Sequence, residues 1–146
     1  IYVIEERAAH RPPLVSGVGV RLPSHLTATG RAILSALPRN QVRALYPNRQ
    51  AFTDRTGIGP KSPKELEATL AETQRTGFAE EHGDVTPGFD SYAVAVRDYN
   101  DFPIAGLALT FVSGSLRPEQ ERSLKTKLRL AGTELSRRLG AVGSLT

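Results

Sequence analysis

An α+β fold with an antiparallel sheet is what this sequence predicts, and three observations carry it. Strand-like stretches follow one another at Phe78–His82, Asp90–Arg97 and Ile104–Phe111. The last two are joined by Asp98-Tyr99-Asn100-Asp101-Phe102-Pro103, whose turn-forming residues make the pair a hairpin and therefore antiparallel. Helical patterns occur in runs before and after these strands, the arrangement of α+β proteins rather than of alternating βαβ units.

The chain opens on two further strand candidates, Ile1–Glu5 and Leu14–Val20, with Pro12-Pro13 between them; β-branched and aromatic residues favour extended backbone there. From Thr27, the spacing of Ile33, Leu34 and Leu37 predicts a helix that Pro38 ends, and Val42, Leu45 and Tyr46 predict a short second helix ended by Pro47. Residues 48–61 carry Gly57 and Gly59 without periodicity and read as a surface connection. Ser62-Pro63-Lys64-Glu65 is a capping serine, a first-turn proline and a glutamate three residues on. Leu66 and Leu70 continue that helix, and Gly77 ends it. Leu124, Leu128, Ala131, Leu135 and Leu139 recur at helical spacing, so a long amphipathic helix is expected from Pro118 to about Leu139.

With 146 residues the chain suits one domain, and 39% hydrophobic and 23% charged residues place it among ordinary globular proteins. No apolar run approaches the ~20 residues of a membrane helix, and no secretory leader pattern is present, so a cytoplasmic protein without a membrane partner is expected. The lack of cysteine excludes a disulfide framework, a thiolate zinc site and a cysteine nucleophile. There is no methionine either, so the expectation is a fragment whose partner domain lies upstream. A net charge of +4 raises the question of nucleic acid. The basic residues are scattered, however, and their densest group (Arg122, Lys125, Lys127, Arg129, Arg137, Arg138) reads as a solvated helix face without aromatic interleaving.

The most telling stretch runs from Leu22 to Ala32, Leu-Pro-Ser-His-Leu-Thr-Ala-Thr-Gly-Arg-Ala. It builds a helix start where Thr27 or Ser24 caps one backbone amide, while Ala28 and Gly30 leave space for an anion to reach the others. Nothing nearby is equipped for chemistry on such an anion. A sensor for a small carboxylate is therefore expected, and no enzyme, cofactor or metal.

These elements, in their order and spacing, resemble the effector-binding domain of the IclR family of bacterial transcriptional regulators. The resemblance covers nearly the whole chain, 1–146. It rests on Leu22–Leu34, on Thr53 and Thr56 before the capped helix, on Arg75-Thr76-Gly77-Phe78-Ala79, on Gly88 before Ser91, and on Val96-Arg97-Asp98 leading to Pro103-Ile104-Ala105-Gly106-Leu107. It implies a GAF/profilin-like fold with a curved antiparallel sheet flanked by helices, and a ligand cavity between sheet and loops. It also implies a small organic-acid effector, a winged helix-turn-helix upstream through which DNA is bound, and assembly as a homodimer or homotetramer. The family's domain usually opens with a further helix and strand, so an open edge beside Ile1–Glu5 is expected to invite pairing.

Carried over position by position, the family's effector contacts fall on Leu14, Ala28, Thr29, Glu81, Ser91, Ala108 and Thr110. Ala28 and Thr29 offer amides, Ser91 and Thr110 hydroxyls, and Leu14 an apolar wall. Ala108 stands where the family can have serine and makes the pocket more apolar; Glu81 stands where aspartate is common and reaches further in. Both departures favour a somewhat larger or aromatic acid over a very small keto acid. Tyr92, next to Ser91, is expected on the opposite face by strand alternation.

Competing chemistry fails on stated grounds. His82 with Glu80, Glu81 and Asp84, and His10 elsewhere, are metal-ligand types, but alternation sends neighbouring strand side chains to opposite faces. His25 either donates to the effector or orders the turn before the helix. Gly88-Phe89-Asp90-Ser91-Tyr92 lacks the glycine that a nucleophile elbow needs after its serine. Gly57–Ser62 has its glycines misplaced for a phosphate loop and a proline without an amide at position 60, and Gly17-Val18-Gly19 leads to Pro23 rather than a helix. The remaining alternatives are an oligomerisation module without a ligand and, after it, a small-molecule enzyme.

Overall fold

The computed structural model describes residues 1–7, 9, 14 and 17–142. In order come α1 (Ala28–Ala36), α2 (Arg39–Leu45), a 3-10 turn at Arg49–Ala51, α3 (Pro63–Thr76), β1 (Ala79–His82), β2 (Phe89–Arg97), β3 (Pro103–Val112) and α4 (Pro118–Arg138). The strands form an antiparallel sheet in the order β1-β2-β3, so the protein is α+β as its strand runs predict. His10, Pro12-Pro13 and part of the second predicted strand (Val15, Ser16) lie outside the described residues.

Side-chain size decides what covers each face of the sheet. Register aligns Ala79, Ala93 and Ala108 across the three strands, with Ala95 opposite Gly106 in the next row. This face of small groups admits α1 close in, where Ala28 and Ala32 pack against Ala79 and Ala93. A Cβ on Gly106 would lie 2.9 Å from the Thr29 Cβ, which shows how near helix and strand run. The opposite face carries Tyr92 and Val94, packed with Leu107, Leu109 and Phe111 under Leu128 of α4. Beyond α1, the buried cluster Leu34, Tyr46, Leu66 and Leu70 joins α1 to α3.

Local rules account for the ends of α3. Ser62 Oγ accepts the Glu65 amide at 3.3 Å, and Gly77 closes the helix at φ 78°. Glu65 folds back, but it receives the Lys61 amide (2.8 Å) and the Ser62 hydroxyl (2.9 Å) instead of the Ser62 amide. The box is thus shifted by one residue.

Three expectations change. Residues 1–5 form no strand in the described structure; Tyr2 alone pairs with the following segment, donating to Val20 and accepting from Gly19 at 3.0 and 2.8 Å. Gly19 turns at φ 87°, which breaks the extended run, and Ile1, Val3 and Ile4 stand exposed. The buried stripe of α4 drifts off the leucines: Leu128 and Gly132 are buried, Ala131 and Leu135 exposed. A Cβ at Gly132 would strike Val94, and Ser136 Oγ accepts the Arg97 amide at 3.0 Å, so close backbone approach replaces a leucine contact. Finally, the connection before α3 is more than surface, since Phe52 packs on the Leu34–Tyr46 cluster and the Thr53 carbonyl meets the His25 ring.

Candidate functional site

The start of α1 points over the end of the alanine face. Thr27 is extended (φ −91°, ψ 143°) and its hydroxyl accepts the Gly30 amide at 3.0 Å, while its carbonyl takes the Arg31 amide at 3.0 Å. The two amides before these belong to Ala28 and Thr29, and no acceptor among the described residues meets them. Two donors at the positive end of a helix dipole therefore face whatever lies beyond.

What lies beyond is a polar row of the sheet. Register sets Glu81, Ser91 and Thr110 side by side across β1, β2 and β3, one row past the alanines on the same face. Ser91 and Thr110 share a hydroxyl–hydroxyl hydrogen bond of 2.9 Å. Glu81, 3% exposed, accepts the Val85 amide at 3.0 Å. Burial pushes its carboxyl above the usual range, against the pull of the Val85 amide and the Ser91 hydroxyl.

Between helix start and polar row lies a small, open-mouthed cavity of about 40 Å³. Leu14, Ala28, Thr29, Glu81, Ser91, Ala108 and Thr110 all line it, so the structure brings together every site position named from the sequence. It adds Tyr2, Thr27, Val85, Thr86 and Phe89. Tyr2 closes one side, and burial raises its phenol. Its arrival follows from the single pairing with Val20, which no local pattern announces.

Arg31 was not singled out as a site residue, yet it braces this cavity. Its side chain is 6% exposed and pairs with Asp84, 4% exposed. Nε and the second terminal nitrogen donate to the His25 and Glu80 carbonyls at 2.8 and 2.7 Å. Asp84 in turn accepts the His82 amide at 3.1 Å. The first helix is thereby fastened to the β1–β2 loop, which supplies Val85 and Thr86 to the cavity. An arginine set between the helix's apolar positions is the one local sign of it in the sequence.

Other positions fall elsewhere. Gly30 does not make room for a ligand: a Cβ there would collide with the Ser24 backbone, so the glycine admits a chain crossing. The Ser24 hydroxyl caps no amide but bonds Tyr46 at 2.6 Å. His25 stays out of the cavity, its Nε2 on the Thr53 carbonyl at 3.0 Å and its ring edge-on to Tyr46 and Phe52; it orders the turn, and burial lowers its pKa. Glu80 faces away toward α4 and meets Lys125 at 2.8 Å. Lys125 is accordingly part-buried rather than solvated, lying 4.2 Å over the Tyr92 ring. Tyr92 points to the α4 face as alternation requires, donating to Glu121 at 2.9 Å. No helix among the described residues is long and apolar enough to cross a membrane.

Comparison with known proteins agrees with this architecture. Residues 1–137 match the family described as bacterial transcriptional regulator IclR, C-terminal. The chain is similar to the HTH-type transcriptional regulator XynR of Escherichia coli K12, 30% identical over 125 residues, covering 86% of this chain and 49% of that protein. It is also similar to the glycerol operon regulatory protein of Streptomyces coelicolor, 32% identical over 130 residues, 85% of this chain and 48% of that one. Among solved structures, the Agobacterium tumefaciens repressor BlcR superposes with a TM-score of 0.80 at 29% identity, over 88% of this chain and 51% of that chain. The chain thus spans about half the length of the curated relatives it matches. Fold, site geometry and relatives converge: this chain belongs to the IclR family of bacterial transcriptional regulators, as a C-terminal domain.

Proposed function

We propose that this domain is the ligand sensor of a transcriptional regulator, binding a small organic acid with its carboxylate on the Ala28 and Thr29 amides. The observation that carries the reading is the pair of amides that no acceptor among the described residues meets, at the wall of a cavity whose far side is polar. A carboxylate there gains about 0.3–1 kcal/mol from the helix dipole, up to ~2 when partly buried, in addition to its hydrogen bonds. Ser91 and Thr110 supply hydroxyls, Leu14 and Phe89 apolar walls.

In the whole regulator, binding shifts an equilibrium between two arrangements and so changes DNA affinity through a DNA-binding domain elsewhere in the protein. Couplings of this kind are typically worth about 1–3 kcal/mol. Assembly as a homodimer or homotetramer belongs to the same proposal.

The test is a thermal-shift and calorimetric screen of metabolite acids against the chain and an Ala28→Pro variant. Ala28 is the first helical residue, where proline is accommodated, and the extended Thr27 suits a following proline. The substitution deletes one amide donor and keeps the helix. At least one acid should bind the native chain and lose its affinity in the variant; binding that ignores the substitution places the site elsewhere, and absence of any binding favours a ligand-free assembly module.

A further inference from the structure

Building on that reading of the cavity, we propose that Glu81 restricts the effector to acids that also carry a hydrogen-bond donor, hydroxy acids being the class. The carboxyl is nearly sealed from solvent at 3% exposure, yet among the described residues the hydrogen bond it accepts is from one neutral donor, the Val85 amide at 3.0 Å, with Ser91 opposite it on the neighbouring strand. A carboxylate offers about four acceptor sites. The nearby cation does not fill the gap, because Arg31 is committed to Asp84 and to the His25 and Glu80 carbonyls. Asp84 adds a like charge. Among the described residues, Glu81 is therefore an acceptor short of donors.

The other wall has the opposite deficit, the amides of Ala28 and Thr29 being donors short of an acceptor. A molecule with a carboxylate at one end and a hydroxyl at the other completes both. A plain acid completes one wall and leaves its carboxylate facing a second buried carboxyl with no donor between them. Buried polar groups left unmatched are the strongest source of discrimination between otherwise similar ligands.

Matched acids test this: propanoate against lactate and 3-hydroxypropanoate, and phenylacetate against mandelate, titrated calorimetrically into the native chain, Glu81→Gln and Glu81→Ala. In at least one set the hydroxy acid should bind about 10-fold or more tightly than its parent. Glu81→Gln keeps a carbonyl acceptor and should retain the preference, whereas Glu81→Ala should reduce it to about threefold or less. Equal affinity within every set, or a preference undiminished in Glu81→Ala, overturns the proposal; if neither variant folds, the native comparison alone decides. Acids that bind the native chain equally, and fail with Ala28→Pro, remove this inference and leave the sensor reading standing. Absence of binding by every acid of the panel removes this inference, and the wider acid screen decides the sensor reading.

Discussion

Arg31 and Asp84 meet as an ion pair with both side chains nearly out of solvent, and this contact holds the start of the first helix against the loop that closes the cavity. Neutralising one partner strands the other's charge in the interior. Arg31→Met or Asp84→Asn should each cost about 3–5 kcal/mol in urea unfolding, and the Arg31→Met/Asp84→Asn double variant less than the two singles together. Equal and additive losses would show that the pair is not coupled.

Gly106 lies under Thr29 with no room for a methyl group. Gly106→Ala should push the helix from β3 and cost about 1–3 kcal/mol, read as a lower denaturation midpoint. Any acid that binds the native chain should bind this variant more weakly, since the displaced helix carries the Ala28 and Thr29 amides.

The ends of α3 give smaller, local effects. Ser62→Ala removes the acceptor of the Glu65 amide and should cost about 0.5–2 kcal/mol. Gly77→Ala forces a side chain to φ 78°, at about 1–2 kcal/mol. Neither touches the cavity, so calorimetric acid affinity should stay within about twofold of native in both.

Two buried groups set opposite pH dependences. Burial lowers the pKa of His25 from 6.5, so below that pH the unfolded chain takes up a proton that the native one refuses. Stability should fall as pH drops through this window and level off below the native value; His25→Phe should remove the slope. Glu81 works the other way, its carboxyl raised from 4.5 by burial, so the native chain holds a proton that the unfolded one has released. Its stabilisation is complete below 4.5 and is lost as pH climbs through the raised value. Glu81→Gln should therefore melt higher than native near neutral pH, a gain that shrinks on acidification. Thermal melts from about pH 4 to about pH 8 check both signs.

Much of the fold was legible wherever a local rule governs. Ser62, Pro63 and Gly77 mark the third helix to the residue, because caps depend on a few neighbouring atoms. Alternation assigned Tyr92 to the far face for a similar reason. Contacts set by distant chain segments were not legible. Gly30 is small because Ser24 crosses it, a demand that mimics space for a ligand. Arg31 is buried through a partner 53 residues away, against the usual exposure of arginine. Gly132 replaces a leucine contact in the last helix since Val94 fills the space. For the cavity, the residue chemistry alone indicated the helix start; the sheet positions came from the family resemblance, and Tyr2 arrives by one long-range pairing.

The ladder of methyl groups beneath the first helix has a consequence for how such a chamber is retuned. Enlarging a rung at Ala79, Ala93 or Ala95 meets the helix that packs on it, so the foundation tolerates little variation. Glu81, Ser91 and Thr110 stand one rung beyond, where a change of side chain reshapes the void without lifting the helix. Recognition can thus diverge by exchanging a single crosswise tier while the architecture underneath stays as it is.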